Sequence, residues 1–169
     1  MEHSEKHPVK PVEHSDALRR ELDLFLAKGH AHTDFDHVIA DFPAQLRGVR
    51  PPGVPHSAWE VLEHLRIGQW DMLEFSRDPT HKSPDWPSGY WPATAEPPDD
   101  KAWDHTIRAC HHDLAAFRKL ITDPASDLFA AFPHGDGQTL LREALQIADH
   151  NAWHIGELLF IRRVLGAWK

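Results

Sequence analysis

The chain has a single cysteine, Cys110, among 169 residues, which excludes an internal disulfide framework and suits a reducing cytoplasm. It lacks an apolar run long enough to span a bilayer, since its most apolar stretch, Leu158 to Leu165, is interrupted by Arg162 and Arg163. The opening stretch from Met1 to Glu13 is charged and bears prolines, without the apolar centre of a targeting signal. Positive charge is scarce as well. Eighteen Lys and Arg face 26 Asp and Glu, a net charge of -8, so a phosphate backbone is repelled on average. The paired arginines 19–20 and 162–163 stand alone, and no nucleic-acid-reading motif accompanies them. Period-two alternation, the mark of a half-buried strand, is missing throughout. These absences predict a cytoplasmic all-α protein that uses neither nucleic acid nor membrane.

What the sequence does contain is helical periodicity broken by proline. After a tail over residues 1–14, Ser15 or Asp16 can cap a helix carrying Leu18, Leu22, Phe25 and Leu26 at spacings of three and four. Gly29 ends it. A short segment follows, with Thr33 as its cap and Phe35, Val38, Ile39 and Phe42 on its apolar side. Prolines from Pro43 to Pro55 then exclude a helix interior. Ser57-Ala-Trp-Glu60 has the form of a capping box and opens a helix to about Arg77. The long aromatic and proline-rich stretch from Asp78 to Pro98 reads as a packed wall or lid, because Trp86, Tyr90 and Trp91 are costly to leave in water. Asp99 or Asp100 starts a helix to about Ile121, and Gln138 or Thr139 starts the last, to about Leu165. Residues 15–169 are therefore predicted to form one antiparallel four-helix bundle. Its expected core holds Leu22, Phe25, Val61, Leu65, Met72, Ile107, Phe117, Leu145, Ile147, Ile155 and Leu158.

Histidine is the compositional anomaly, at 15 residues. Those in the tail and loops, such as His3, His7, His14 and His81, read as exposed, so spacing must select the others. His150 and His154 lie one helical turn apart and share a side with Ile147, Leu158, Ile161 and Leu165, which aims both imidazoles at the core. Buried imidazoles need partners. His64, well inside the helix opened by the capping box, is the best third donor, and three imidazoles can hold one Zn, Ni or Fe ion with a coordination position left open. Asn151 stands where a zincin would carry its glutamate, which disfavours metalloprotease chemistry.

Three carboxylates lie close enough in sequence to matter. Glu157 follows His154 by one turn, Glu60 precedes His64 by one turn while also serving the cap, and Asp71 returns to nearly the His64 face two turns on. Each is a candidate for orienting a ligand or for acid–base work, against the plainer reading of a cap, a salt bridge, a solvent contact or a stabilising contact of the bundle. No catalytic residue is assigned. Cys110 reads as a buried thiol, and Gly135-Asp-Gly137 as a turn.

The motifs Gly29-His-Ala-His32, Pro55-His-Ser-Ala-Trp-Glu-Val-Leu-Glu-His64-Leu-Arg-Ile-Gly-Gln69, Asp85-Trp-Pro-Ser-Gly-Tyr-Trp-Pro92, His134-Gly-Asp-Gly-Gln-Thr-Leu-Leu-Arg-Glu143 and Asp149-His-Asn-Ala-Trp-His154 resemble the DinB/YfiT-like superfamily over most of the chain. The resemblance implies a four-helix bundle, commonly dimeric, with one divalent metal on His64, His150 and His154. It further implies a choice of activities. Relatives include transferases and isomerases that use low-molecular-weight thiols, which would make a small thiol and a small electrophile the expected partners. A metal-dependent hydrolase and a non-catalytic structural or stress-response metalloprotein are the alternatives.

Overall fold

A computed structural model describes residues 11–28 and 31–168. Helix α1 spans Pro11–Lys28, the short α2 Phe35–Ile39, α3 Ala58–Arg77, α4 Asp100–Thr122 and α5 Leu140–Val164. The four long helices form an antiparallel bundle in which α3 packs on both α4 and α5, and α1 closes against the same two. No strand occurs among the described residues. One antiparallel bridge, Ala131 to Thr139, pins the loop ahead of α5.

The helix starts follow from local chemistry. Ser57 and Glu60 form the full capping box, the Ser57 hydroxyl accepting from the Glu60 N–H at 3.2 Å and the Glu60 carboxylate from the Ser57 N–H at 2.8 Å. Asp99 caps α4 and Thr139 caps α5. Two starts differ from expectation. Helix α1 begins at Pro11 rather than at a Ser15 or Asp16 cap, and a proline there forfeits nothing because the first-turn N–H groups have no helical partner. Helix α2 is capped by Asp34, whose carboxylate accepts from the His37 N–H, rather than by Thr33. Residues 1–10, and the proposed stop at Gly29, lie outside the described residues.

Two apolar clusters fill the bundle. One joins Val38, Ile39 and Phe42 to Trp59, Val61, Leu62, Leu65, Trp103, Leu158 and Ile161. The other joins Leu22 and Leu26 to Met72, Leu73, Phe117, Ile121, Leu128, Leu140 and Ile147. Each large side chain fully buried there contributes ~1.5–3 kcal/mol. Ile107 and Ile155 pack against the first cluster from partly buried positions. Two expected core residues are corrected. Leu145 is 54% exposed, because it precedes Ile147 by two residues, about 200° around the helix, so the two cannot share a face. Phe25 is 46% exposed because Leu22 and Leu26 take the inward face of α1. In the aromatic loop Trp86 is 75% exposed, so only Tyr90 and Trp91 serve as wall.

Candidate metal centre

Between the two clusters lies a polar layer. Helix α3 supplies His64, Gly68, Gln69 and Asp71, and α5 supplies His150, Asn151 and His154. His64, His150 and His154 offer ligand nitrogens that all lie within 4.8 Å of one another, a cluster able to coordinate a metal ion. The Nε2 atoms of His64 and His150 are 3.4 Å apart. Two nitrogens bound to one tetrahedral ion at ~2.0–2.1 Å each lie about 3.3 Å apart, so the spacing suits a shared ion.

The tautomers point the same way. His64 Nδ1 meets the Tyr90 main-chain carbonyl at 2.9 Å, an acceptor without a proton, so Nδ1 must donate and Nε2 keeps its lone pair. His154 Nδ1 meets Glu157 Oε2 at 3.0 Å, so Nδ1 donates there as well, and that hydrogen bond holds the Glu157 carboxyl below its usual range. His150 Nδ1 faces Asn151 Oδ1 at 3.4 Å. Burial, reinforced by the two neighbouring imidazoles, pushes His150 down to about 4, and burial lowers His64 as well. His150 and His64 are therefore neutral at physiological pH, and the lone pairs of their Nε2 atoms face each other across 3.4 Å beside the ligand nitrogen of His154. An electrophile placed there removes the repulsion, which is how the residues present fit a divalent ion.

Neighbouring elements hold the rings in place. Trp91 stacks on His64 with centroids 4.0 Å apart and planes 7° from parallel, and His56 covers the far side of Trp91 at 3.9 Å. Gly68 gives the His150 ring its space. A Cβ at position 68 would sit 2.8 Å from His150 Cε1 and 3.0 Å from Nε2, so only glycine allows the ring to lie against α3.

The three candidate carboxylates go to different places. Glu157 orients His154, as described. Glu60 stays at the helix start, bonded to Ser57 and to Arg50, and its carboxyl is lowered because the Arg50 and Ser57 bonds outweigh burial. Asp71 accepts from the Tyr90 hydroxyl at 2.6 Å and lies 2.7 Å from His81 Nε2, anchoring the loop whose carbonyl holds His64. His81 is corrected on this account, since its side chain is only 9% exposed. Cys110 is buried and its thiol is pushed well up by that burial. Sequence reasoning missed Gly68, Gln69, Asn151, Tyr90 and Trp91 as parts of the site.

The sequence matches no family model, and neither a curated protein nor a solved structure matches it. What fold and geometry define is a class: an all-α multi-helix protein with three histidines clustered as in a metal-binding helical bundle.

Proposed function

We propose that this chain is a divalent-metal-binding protein of the DinB/YfiT-like type, that His64, His150 and His154 hold one Zn, Ni or Fe ion, and that the centre serves a thiol-dependent transferase. The observation that carries the metal reading is the convergence of three Nε2 lone pairs, each set by an acceptor behind Nδ1. When bound, such an ion supplies Lewis acidity, which lowers the pKa of a thiol brought to its open position. That thiol must come from outside the chain, because Cys110 is buried.

The commitments of the carboxylates favour a thiol over water as the activated group. A hydrolase needs a general base near the ion; Glu60 and Asp71 are engaged away from the three histidines, and Glu157, which lies beside them, is taken up by His154 Nδ1. An open recess of about 570 Å³ lined by Val54, Pro55, Trp153, Gly156 and Phe160 runs past Glu157 and suits a small apolar electrophile. A structural metalloprotein is the second reading, favoured by the position of the three histidines between two apolar clusters, where an ion would tie α3 to α5. No described helix is long and apolar enough to cross a membrane, and a cytoplasmic setting keeps Cys110 reduced. The homodimer implied by the resemblance would use the outer face of α5, where Leu145, Trp153, Phe160 and Val164 are exposed. Sedimentation velocity across a concentration series tests it, and a monomer throughout would rule it out.

The deciding experiment strips the protein with chelator, reloads it with Zn, Ni or Fe in turn, and measures stoichiometry before screening small thiols with electrophiles. One ion per chain is expected. Absence of binding at about micromolar free metal would remove the metal reading. Binding without thiol-dependent turnover would favour the structural one.

A further inference from the structure

The three ligand histidines are oriented by partners of unequal certainty. Behind His64 stands a main-chain carbonyl and behind His154 a carboxylate, and neither can turn round to offer a proton. Behind His150 stands the side-chain amide of Asn151. An amide presents either an oxygen or an NH₂ group, and these select opposite tautomers of the imidazole it faces. With the oxygen toward Nδ1, His150 carries its proton on Nδ1 and its lone pair on Nε2, toward His64. With the NH₂ group there, Nδ1 becomes the acceptor and Nε2 carries a proton where a ligand lone pair is needed.

The choice is made two residues further along a chain of hydrogen bonds. The Cys110 main-chain carbonyl accepts from Gln69 Nε2 at 2.7 Å, and Gln69 Oε1 accepts from Asn151 Nδ2 at 2.8 Å. The carbonyl is an acceptor alone, so it fixes which end of the Gln69 amide faces α4. That fixes Gln69 Oε1 toward Asn151, hence Asn151 Nδ2 toward Gln69 and Asn151 Oδ1 toward His150. Gln69 is 1% exposed, and an amide buried so deeply is costly unless its hydrogen bonds are made. Both amides line a cavity of about 390 Å³ between α1, α2, α3, α4 and α5, which leaves an unanchored Asn151 side chain room to turn.

We infer that Gln69 is a positioning residue for the metal centre: through Asn151 it transmits the direction of the Cys110 carbonyl to His150 and so keeps the His150 Nε2 lone pair aimed at the ion. The hydrogen bonds of the Gln69 amide go to Cys110 and Asn151 rather than to a ligand histidine. The inference rests on the metal reading for its purpose, whereas the tautomer it sets is a property of the metal-free chain and is measured there.

The experiment records long-range imidazole ¹H–¹⁵N correlations of the metal-stripped full chain near neutral pH, then zinc affinity by competition with a chromophoric chelator. In the wild type His150 is expected with its proton on Nδ1. Gln69→Met, nearly equal in volume and unable to anchor the amide, shifts His150 toward the Nε2–H tautomer, leaves His64 and His154 as they were, and weakens zinc binding about 10–100-fold with helical content retained. In the double variant Gln69→Met/Asn151→Asp a carboxylate, which needs no anchor, faces His150 and restores both the tautomer and the affinity. A merely structural Gln69 would move neither the tautomer nor its rescue. A proton on Nε2 of His150 in the wild type overturns the inference without any variant, as does an unchanged His150 in Gln69→Met. If the wild type takes up no zinc while its tautomers follow this pattern, the metal reading fails and the relay stands.

Discussion

Along α3, Val61, Leu62 and Leu65 are buried among carbon, and so are Met72 and Leu73 two turns on. Between them Gly68, Gln69 and Asp71 meet imidazole, amide and phenol. The same alternation recurs on α5, where Ala144 and Ile147 give way to His150, Asn151 and His154 before Leu158 and Ile161 return. The apolar stretches tolerate change of shape, since substitution there costs contact area in proportion to what is removed. The polar layer is different because each group is held by one specific atom of another element. Stability should therefore reside mainly in the clusters and metal affinity in the layer, and variants can separate the two.

The largest expected effect falls on the layer. His154→Ala or His150→Ala should weaken zinc binding by more than about 100-fold, beyond the loss that follows removal of a supporting partner. His105, exposed on α4, is the proper reference substitution, because the His81 side chain is bonded to Asp71. Equal affinities in the His154→Ala and His105→Ala proteins would sink the centre. Next comes the cluster alone. Phe117 is fully buried in the second cluster, so Phe117→Ala should cost about 3–5 kcal/mol in urea denaturation. Zinc stoichiometry of the remaining folded protein should stay as in the wild type. A loss of metal of the same order as for His154→Ala would show that cluster and layer are not separable.

Acid should also strike the layer first. In the folded metal-free chain burial holds His150 at about 4, whereas an unfolded imidazole titrates at about 6.5. Between these values the unfolded chain binds more protons, so stability rises with pH. The contribution is fully present above about pH 6.5 and is lost as pH falls toward the folded value, on the order of 3 kcal/mol for this one group. Denaturation midpoints of the stripped protein between about pH 7 and pH 4.5 measure it. His150→Asn should flatten the profile, and an equally steep variant would assign the dependence elsewhere.

A smaller effect with an opposite companion is expected at Gly68. Alanine there raises helix propensity by up to ~1 kcal/mol, yet its Cβ would fall 2.8 Å from the His150 ring and push that ring aside. Gly68→Ala should reduce zinc affinity about tenfold or more, while the stripped protein loses little stability. Unchanged affinity would mean that the ring has room elsewhere.

How much of this was readable beforehand depended on distance along the chain. The capping box at Ser57 and Glu60, the Asp99 and Thr139 starts and the one-turn pair His150 and His154 are local patterns, and a single helix expresses them. His64 was reachable because it lies beside an apolar stripe. Gln69 and Asn151, 82 positions apart, have no such signature, since their partnership exists only after α3 and α5 have packed. Phe25 and Leu145 show the converse, because a helical wheel gives several apolar residues and leaves open which of them face inward. The loop was misread in detail for the same reason: Trp86, Tyr90 and Trp91 are alike as sequence, and only Tyr90 and Trp91 find partners across the bundle.

The weakest test of the contrast between cluster and layer is Tyr90→Phe, and it separates two jobs done by one residue. The Tyr90 carbonyl holds His64, and its hydroxyl holds Asp71. The phenol, pushed up to about 12 mainly by burial and then by the Asp71 bond, stays a neutral donor at every pH at which the protein is used. Removing it leaves Asp71 with His81 as its remaining partner at 2.7 Å and should lower stability by about 1–2 kcal/mol. The carbonyl survives the substitution, the Trp91 ring still covers His64, and the turn Ser88–Tyr90 still touches α3. Zinc affinity should consequently change by less than the about tenfold that loss of a direct partner costs. A larger drop, measured by the same chelator competition, would mean that the Asp71 anchor, rather than the backbone turn, sets the position of the carbonyl, and the layer would then extend from His64 through the loop to Asp71 and His81.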